Sequence, residues 1–158
     1  MPLPDHLTLE IVTPASSVVS EQVDEVQIPG AEGSLGVLPG HTPLLATLQV
    51  GELWYRKGQD TSYVAVLFGF VEVLPDRVTI LAQIAEAADQ IDVTRAQTAG
   101  KRAKDRLARP TQDMDVERAR LAMLKSVVRL RVASRTRTRG SPGTPGAARP
   151  GLPRTVIG

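Results

Sequence analysis

The sequence predicts an N-terminal antiparallel β-sandwich or flattened barrel, then an antiparallel α-helical hairpin and a disordered tail. Three observations carry that reading. Up to about residue 81 the chain consists of short runs rich in Val, Leu and Ile, separated by Gly, Pro and Asp. From Asp92 onward alternation disappears and Ala, Arg and Lys take over. The last stretch, from Gly140, holds five Gly and four Pro among 19 residues, a composition unable to build a core.

The strands follow in order. Leu7, Leu9 and Ile11 alternate with Thr8, Glu10 and Val12 until Pro14 stops the run; Val26 and Ile28 alternate with Glu25 and Gln27 before Pro29-Gly30. Further strands are expected at 35–38, 44–48, 53–56, 63–68, 70–74 and 78–81, with Leu74-Pro75-Asp76-Arg77 turning a hairpin. Asp92 is placed to cap the first helix, in which Ala96, Ala99, Ala103 and Leu107 form a narrow apolar stripe. Pro110 ends that helix, and a second runs from about Asp115 to Ser134. So short a connection makes the pair antiparallel. A stripe made of Ala methyls holds weakly, because an Ala methyl stabilises by well under half of the roughly 1.5–3 kcal/mol of a buried Leu or Val. The hairpin is therefore expected to open without unfolding the sandwich. The expected organisation is 1–90 sandwich, 91–134 hairpin and 135–158 tail.

Charge divides the chain at the same place. The net +2 of its 158 residues hides an acidic first part and a strongly basic second part, as expected of two regions with different partners. There is no Cys and there are only two His, which leaves no thiol chemistry and no basis for a histidine-rich metal site. No apolar run reaches the roughly 20 residues a membrane span needs, and the start, Met1 to Glu10, lacks the basic and apolar regions of a signal peptide.

The densest turn chemistry is Gly30 to Leu44, with Glu32, Gly33, Gly36, Pro39, Gly40 and His41 in it. A phosphate-cradling loop would need a Gly-Lys-Ser/Thr ending and a following helix, and has neither. Two tight turns around a short strand, or a surface that docks on a partner, both fit. His41 beside Pro and Gly reads as a turn residue satisfying a local carbonyl, with an interface role as the competitor. Glu86, Ile91, Asp92, Arg95 and Arg102 are expected on consecutive turns of one helical stretch. They read either as a cap and a solvated face or as an anion site, with guanidinium forks for phosphates and carboxylates for a ribose or purine amine. The basic second helix lacks interleaved aromatics, so base stacking is not available to it. An acidic protein surface fits it at least as well as nucleic acid. No acid, base and nucleophile set is present.

Five segments resemble the epsilon-subunit family of bacterial F-type ATP synthases over roughly residues 5–132. They are Leu9 to Pro14, Glu32 to Leu44 with its Leu-Pro-Gly-His-Thr-Pro-Leu string, Val78 to Ala82, Ile91 to Ala96, and Val128 to Leu130. The resemblance implies a ten-stranded sandwich with a helical hairpin, in a non-catalytic rotor subunit that couples proton flow to ATP synthesis and restrains ATP hydrolysis. It implies docking on gamma and, through Glu32, Gly33, Gly36, Pro39, Gly40 and His41, on the c-ring. The extended arm would reach beta and alpha, meeting an acidic segment with Arg129, Arg131 and Arg135. It implies peripheral attachment at the cytoplasmic face of a bacterial plasma membrane, with no required cofactor and no membrane insertion of its own. A regulatory ATP site would use Glu86, Ile91, Asp92, Arg95, Ala96, Arg102, Lys125 and Arg129, with Lys125 where responsive members carry Arg. The alternatives are a β-sandwich adaptor unrelated to the synthase and a basic-tailed nucleic-acid binder.

Overall fold

The structure, a computed structural model, describes residues 2–137. Eight strands come first: β1 Leu7–Val12, β2 Ser17–Val23, β3 Glu25–Gly30, β4 Gly33–Val37, β5 Leu44–Leu48, β6 Gly51–Lys57, β7 Asp60–Leu74 and β8 Arg77–Ala87. A 3-10 turn at Ala88–Gln90 leads into α1 Val93–Ala108 and α2 Val116–Arg137. The sheet runs β2-β1-β8-β7-β5-β3-β4, with β6 bonded to both β3 and β7. The strand pairs are antiparallel apart from β1 on β8, which is parallel and departs from the all-antiparallel expectation.

Two of the expected strands, 63–68 and 70–74, are one strand with a bend. Up to Val66, β7 pairs with β6, and from Gly69 onward with β5, so the strand serves both layers of the sandwich. The bend falls where Phe68 takes φ 56° and Gly69 φ 134°. A Cβ on Gly69 would lie 1.9 Å from the Leu81 carbonyl oxygen, so no other residue fits there without moving β8. Counted on either side of this bend, the long strands bring eight close to the expected ten.

Alternation builds the first core. Leu7, Leu9 and Ile11 of β1, Val26 and Ile28 of β3, Val71 and Val73 of β7, and Val78 and Ile80 of β8 are completely buried between the layers. β2 was not expected, because Ser, Glu and Gln dilute its apolar residues to Val18, Val19 and Val23. Pairing with β1, irregular at Val12, makes it a strand. β8 continues to Ala87, beyond the expected 81, because residues 84–87 pair with Val64 to Leu67.

A second core was not anticipated. Ala65 and Leu67, on the outward side of β7, are buried with Val50 and Ile91 beneath Val128, Val132 and Ala133 of α2. Residues 64–67 are therefore buried on both faces. The contact between the helices is built from small residues, as expected: Ala96 and Ala103 of α1 and Ala119 of α2 are buried, and Ser126 donates to the Ala96 carbonyl at 2.7 Å. The weak packing expected of the hairpin thus holds between α1 and α2 but not between α2 and the sheet. Asp92 and Asp115 cap the helices, each side chain accepting from the amide three residues on at 3.0 Å. α2 runs three residues past the expected Ser134, since no Gly or Pro intervenes before Gly140. From residue 138 the expected tail lies outside the described residues.

Candidate functional site

A cleft of about 560 Å³ opens where α1, α2 and the end of β8 meet, lined by Glu86, Gln90, Asp92, Arg95, Ala96, Ala99, Ala122, Lys125, Ser126 and Arg129. Glu86 is not on the helical stretch expected for it: it lies on β8, held there by pairing with Ala65, and α1 begins only at Val93. Of the eight residues expected at a nucleotide site, Glu86, Asp92, Arg95, Ala96, Lys125 and Arg129 come together here. Ile91 does not line it, since its side chain is buried in the second core. Arg102, two turns beyond Arg95 on α1, is exposed and outside the lining. Gln90, Ala99, Ala122 and Ser126 join the wall. Their only sequence signal is helical spacing, Ala99 one turn from Arg95 and Ala122 one turn from Lys125 and Ser126.

The cleft is cationic and partly committed. Arg129 donates to Glu86 through Nε at 2.8 Å and Nη2 at 3.1 Å, a fork across 43 residues. A guanidinium has five N–H donors, so three remain. Arg95 and Lys125 have no ion-pair partner among the described residues. Asp92 spends one carboxylate oxygen on the α1 cap. Such a set can hold a polyanion between α1 and α2, with Glu86 and Asp92 beside the cations as acceptors for hydroxyl or amine donors.

A second guanidinium fork lies apart from the cleft. Arg135 donates to Glu52 on β6 through Nε at 3.2 Å and Nη2 at 3.1 Å, and sits 5.0 Å over the Tyr63 ring. The Glu52 carboxylate holds that guanidinium still more firmly protonated than usual. Arg131 and Arg135, one turn apart, are both exposed, while Arg129 is half-buried on another side of α2, so the three arginines expected to form one basic face do not all share a side.

Five of the six expected interface residues fall on two turns. Glu32 and Gly33 lie at the β3–β4 tip, where Gly33 takes φ 127°; Pro39, Gly40 and His41 lie beyond the other end of β4, where Gly40 takes φ 84°. Gly36 sits in the strand between, with no positive φ. Five residues of strand separate the turns by roughly 17 Å. His41 Nδ1 is 2.6 Å from the Thr42 carbonyl, the local contact expected of a turn histidine. β4 is the outermost strand of its sheet path. On β5, β7 and β8 Leu45, Phe70 and Leu81 are 70%, 56% and 55% exposed; Phe70 pairs directly with Leu81, and Leu45 stands diagonal to Phe70, opposite Glu72.

Residues 6–88 match the family of the ATP synthase delta/epsilon chain, beta-sandwich domain, and residues 89–134 the delta/epsilon chain, long alpha-helix domain. The chain belongs to the ATP synthase delta/epsilon family. Among relatives of this family, it is 52% identical over 130 residues to ATP synthase epsilon chain 2 of Syntrophotalea carbinolica, covering 82% of this chain and 94% of that one. It is 52% identical over 132 residues to the ATP synthase epsilon chain of Syntrophobacter fumaroxidans, covering 84% and 98%. The delta/epsilon fold recurs in a chain of the Euglena gracilis mitochondrial ATP synthase, with a TM-score of 0.73 at 21% identity over 85% of this chain and 84% of that one. A chain of the Tetrahymena thermophila mitochondrial ATP synthase central stalk and c-ring gives 0.51 at 16%, over 84% and 96%.

Proposed function

We propose that the chain serves as the epsilon subunit of a bacterial proton-translocating ATP synthase, a non-catalytic part of the central stalk. What carries this reading is the two family domains in one chain, in order, with relatives at 52% identity called epsilon chains across nearly their whole length. Attachment to the membrane is through the complex, at its cytoplasmic face; no helix among the described residues is long and apolar enough to cross a bilayer. The sandwich docks on gamma and the c-ring with the β4 edge and its two turns. Support comes from the exposed large apolar side chains Leu45, Phe70 and Leu81 on β5, β7 and β8 of the same sheet, the kind of surface that marks an interaction site when it is contiguous. The hairpin restrains ATP hydrolysis when it leaves the sandwich for the alpha and beta subunits. Deleting residues 92–158 tests this: hydrolysis by the membrane-bound enzyme is expected to rise, and an unchanged rate would refute the inhibitory role.

The cleft favours a second role, as a regulatory ATP site. Its support is the convergence of Arg95, Lys125 and Arg129 with Glu86 and Asp92 on a volume within the range of small-molecule sites. ATP held there bridges α1, α2 and β8, so it binds only the folded-back arm and shifts the population toward it.

A further inference from the structure

The Glu52–Arg135 fork has no part in the cleft, yet it joins the arm to the sandwich. Glu52 lies on β6 with its side chain only 14% exposed, and Arg135 lies 83 residues away near the C-terminal end of α2. Arg135 is gripped twice, by the two carboxylate oxygens in its plane and by the Tyr63 ring beneath it. That geometry suits a planar guanidinium and not an ammonium. Arg129 is gripped by Glu86, but Glu86 and Arg129 both line the cleft, so a bound anion would compete for that pair. Glu52, Tyr63 and Arg135 lie outside the cleft, so an anion bound there does not compete for this grip.

We propose that Glu52 and Tyr63 form a ligand-independent latch for Arg135, which sets how much of the arm is docked before any nucleotide binds. The proposal rests on the reading of the hairpin as an arm that leaves the sandwich. It goes beyond that reading in assigning the resting docked population to residues outside the nucleotide cleft. Glu52 is the clean handle on it. Arg135 belongs to the basic surface proposed to act once the arm is extended, whereas Glu52 touches the arm only when it is docked. Removing the Glu52 charge therefore frees the arm and leaves the arm's own surface intact. Losing the latch should strengthen inhibition, the opposite of what deleting the arm does.

The chain has no cysteine, so spin labels at Glu21→Cys on β2 and Gln97→Cys on α1, both exposed, report the arm's position without background. In the full-length protein without nucleotide, Glu52→Gln is expected to raise the ratio of undocked to docked arm about three- to fivefold, the range of a partly exposed ion pair. Arg135→Gln, which also gives up the Tyr63 ring, must give at least that shift, and the double variant no more than Arg135→Gln alone. In reconstituted enzyme Glu52→Gln is expected to lower hydrolysis. A raised undocked fraction with unchanged hydrolysis keeps the latch and removes the inhibitory role. An unchanged distance distribution in both single variants overturns the latch, whatever hydrolysis does.

Discussion

Single residues set the conditions under which the two regions hold together. Arg95 reaches the cleft with no ion-pair partner among the described residues, so its charge is available to a phosphate at no cost to the fold. Arg95→Ala should weaken ATP binding by about 10- to 100-fold in calorimetry, since a hydrogen bond to a charged group contributes roughly 1.5–3 kcal/mol. Wild-type protein that gives no heat at millimolar ATP would remove the nucleotide site altogether. Asp24 works on the sandwich side. The Gly58 amide donates to its carboxylate at 2.7 Å, His6 Nδ1 lies 3.0 Å away, and Arg56 Nη1 donates at 3.4 Å, together tying the β2–β3 turn to the β6–β7 turn. The Gly58 amide above all, then His6, holds this carboxyl below the usual carboxylate range. A depressed folded-state value means the contribution is complete above the unfolded value and is lost as pH falls through the folded one. Asp24→Asn should therefore flatten the acid side of the melting-temperature profile, below about pH 4, and an unaltered profile would show the turn is held by other contacts.

At the scale of elements, the second core changes what a truncated chain should do. Residues 1–90 retain the whole first core, so this fragment is expected to fold cooperatively. It also uncovers Leu67, Ala65 and Val50, and exposing one Leu costs roughly 1.5–3 kcal/mol. Thermal denaturation should show one transition at least about 5 °C below that of the full-length sandwich; no transition would mean the sandwich needs α2 to fold. Strands with one dry face, such as β1 and β3, could be read directly from alternation. β2 could not, because its polar residues obscure the period and its strand state comes from β1. The second half of β8 could not either, since Ala, Gln and Glu take on strand geometry only through β7. Tyr63 to Phe68 did carry a signal of the second core, an unbroken apolar run where alternation was due, as expected of a strand covered on both sides. The β8 and α1 side of the cleft was one of two readings that the residue types allowed, whereas its α2 side, Lys125 and Arg129, was legible only through family resemblance, with Glu86 and Arg129 43 residues apart. The Arg135 fork spans 83 residues, beyond any local pattern.

Across the whole molecule, the order of the pieces matters more than the strength of any one. The chain leaves the sheet through Ala88–Gln90 into α1, yet the helix seated on the sheet is α2. Val93 joins the second core, but Ala96 and Ala103 lie outside both cores and face α2. Gly100 makes that approach close: a Cβ there would stand 2.3 Å from Ser126 Oγ. α1 is thus tethered to the sandwich without resting on it, and α2 rests on it without being tethered. If α2 left alone, α1 would remain as a solitary helix of 16 residues, marginal in water by length alone. Half-open states are accordingly poor in stability, and the arm behaves as one cooperative unit. A rotor subunit built this way answers a gradual change in ligand concentration by altering how many molecules have switched, with each molecule fully in one state or the other.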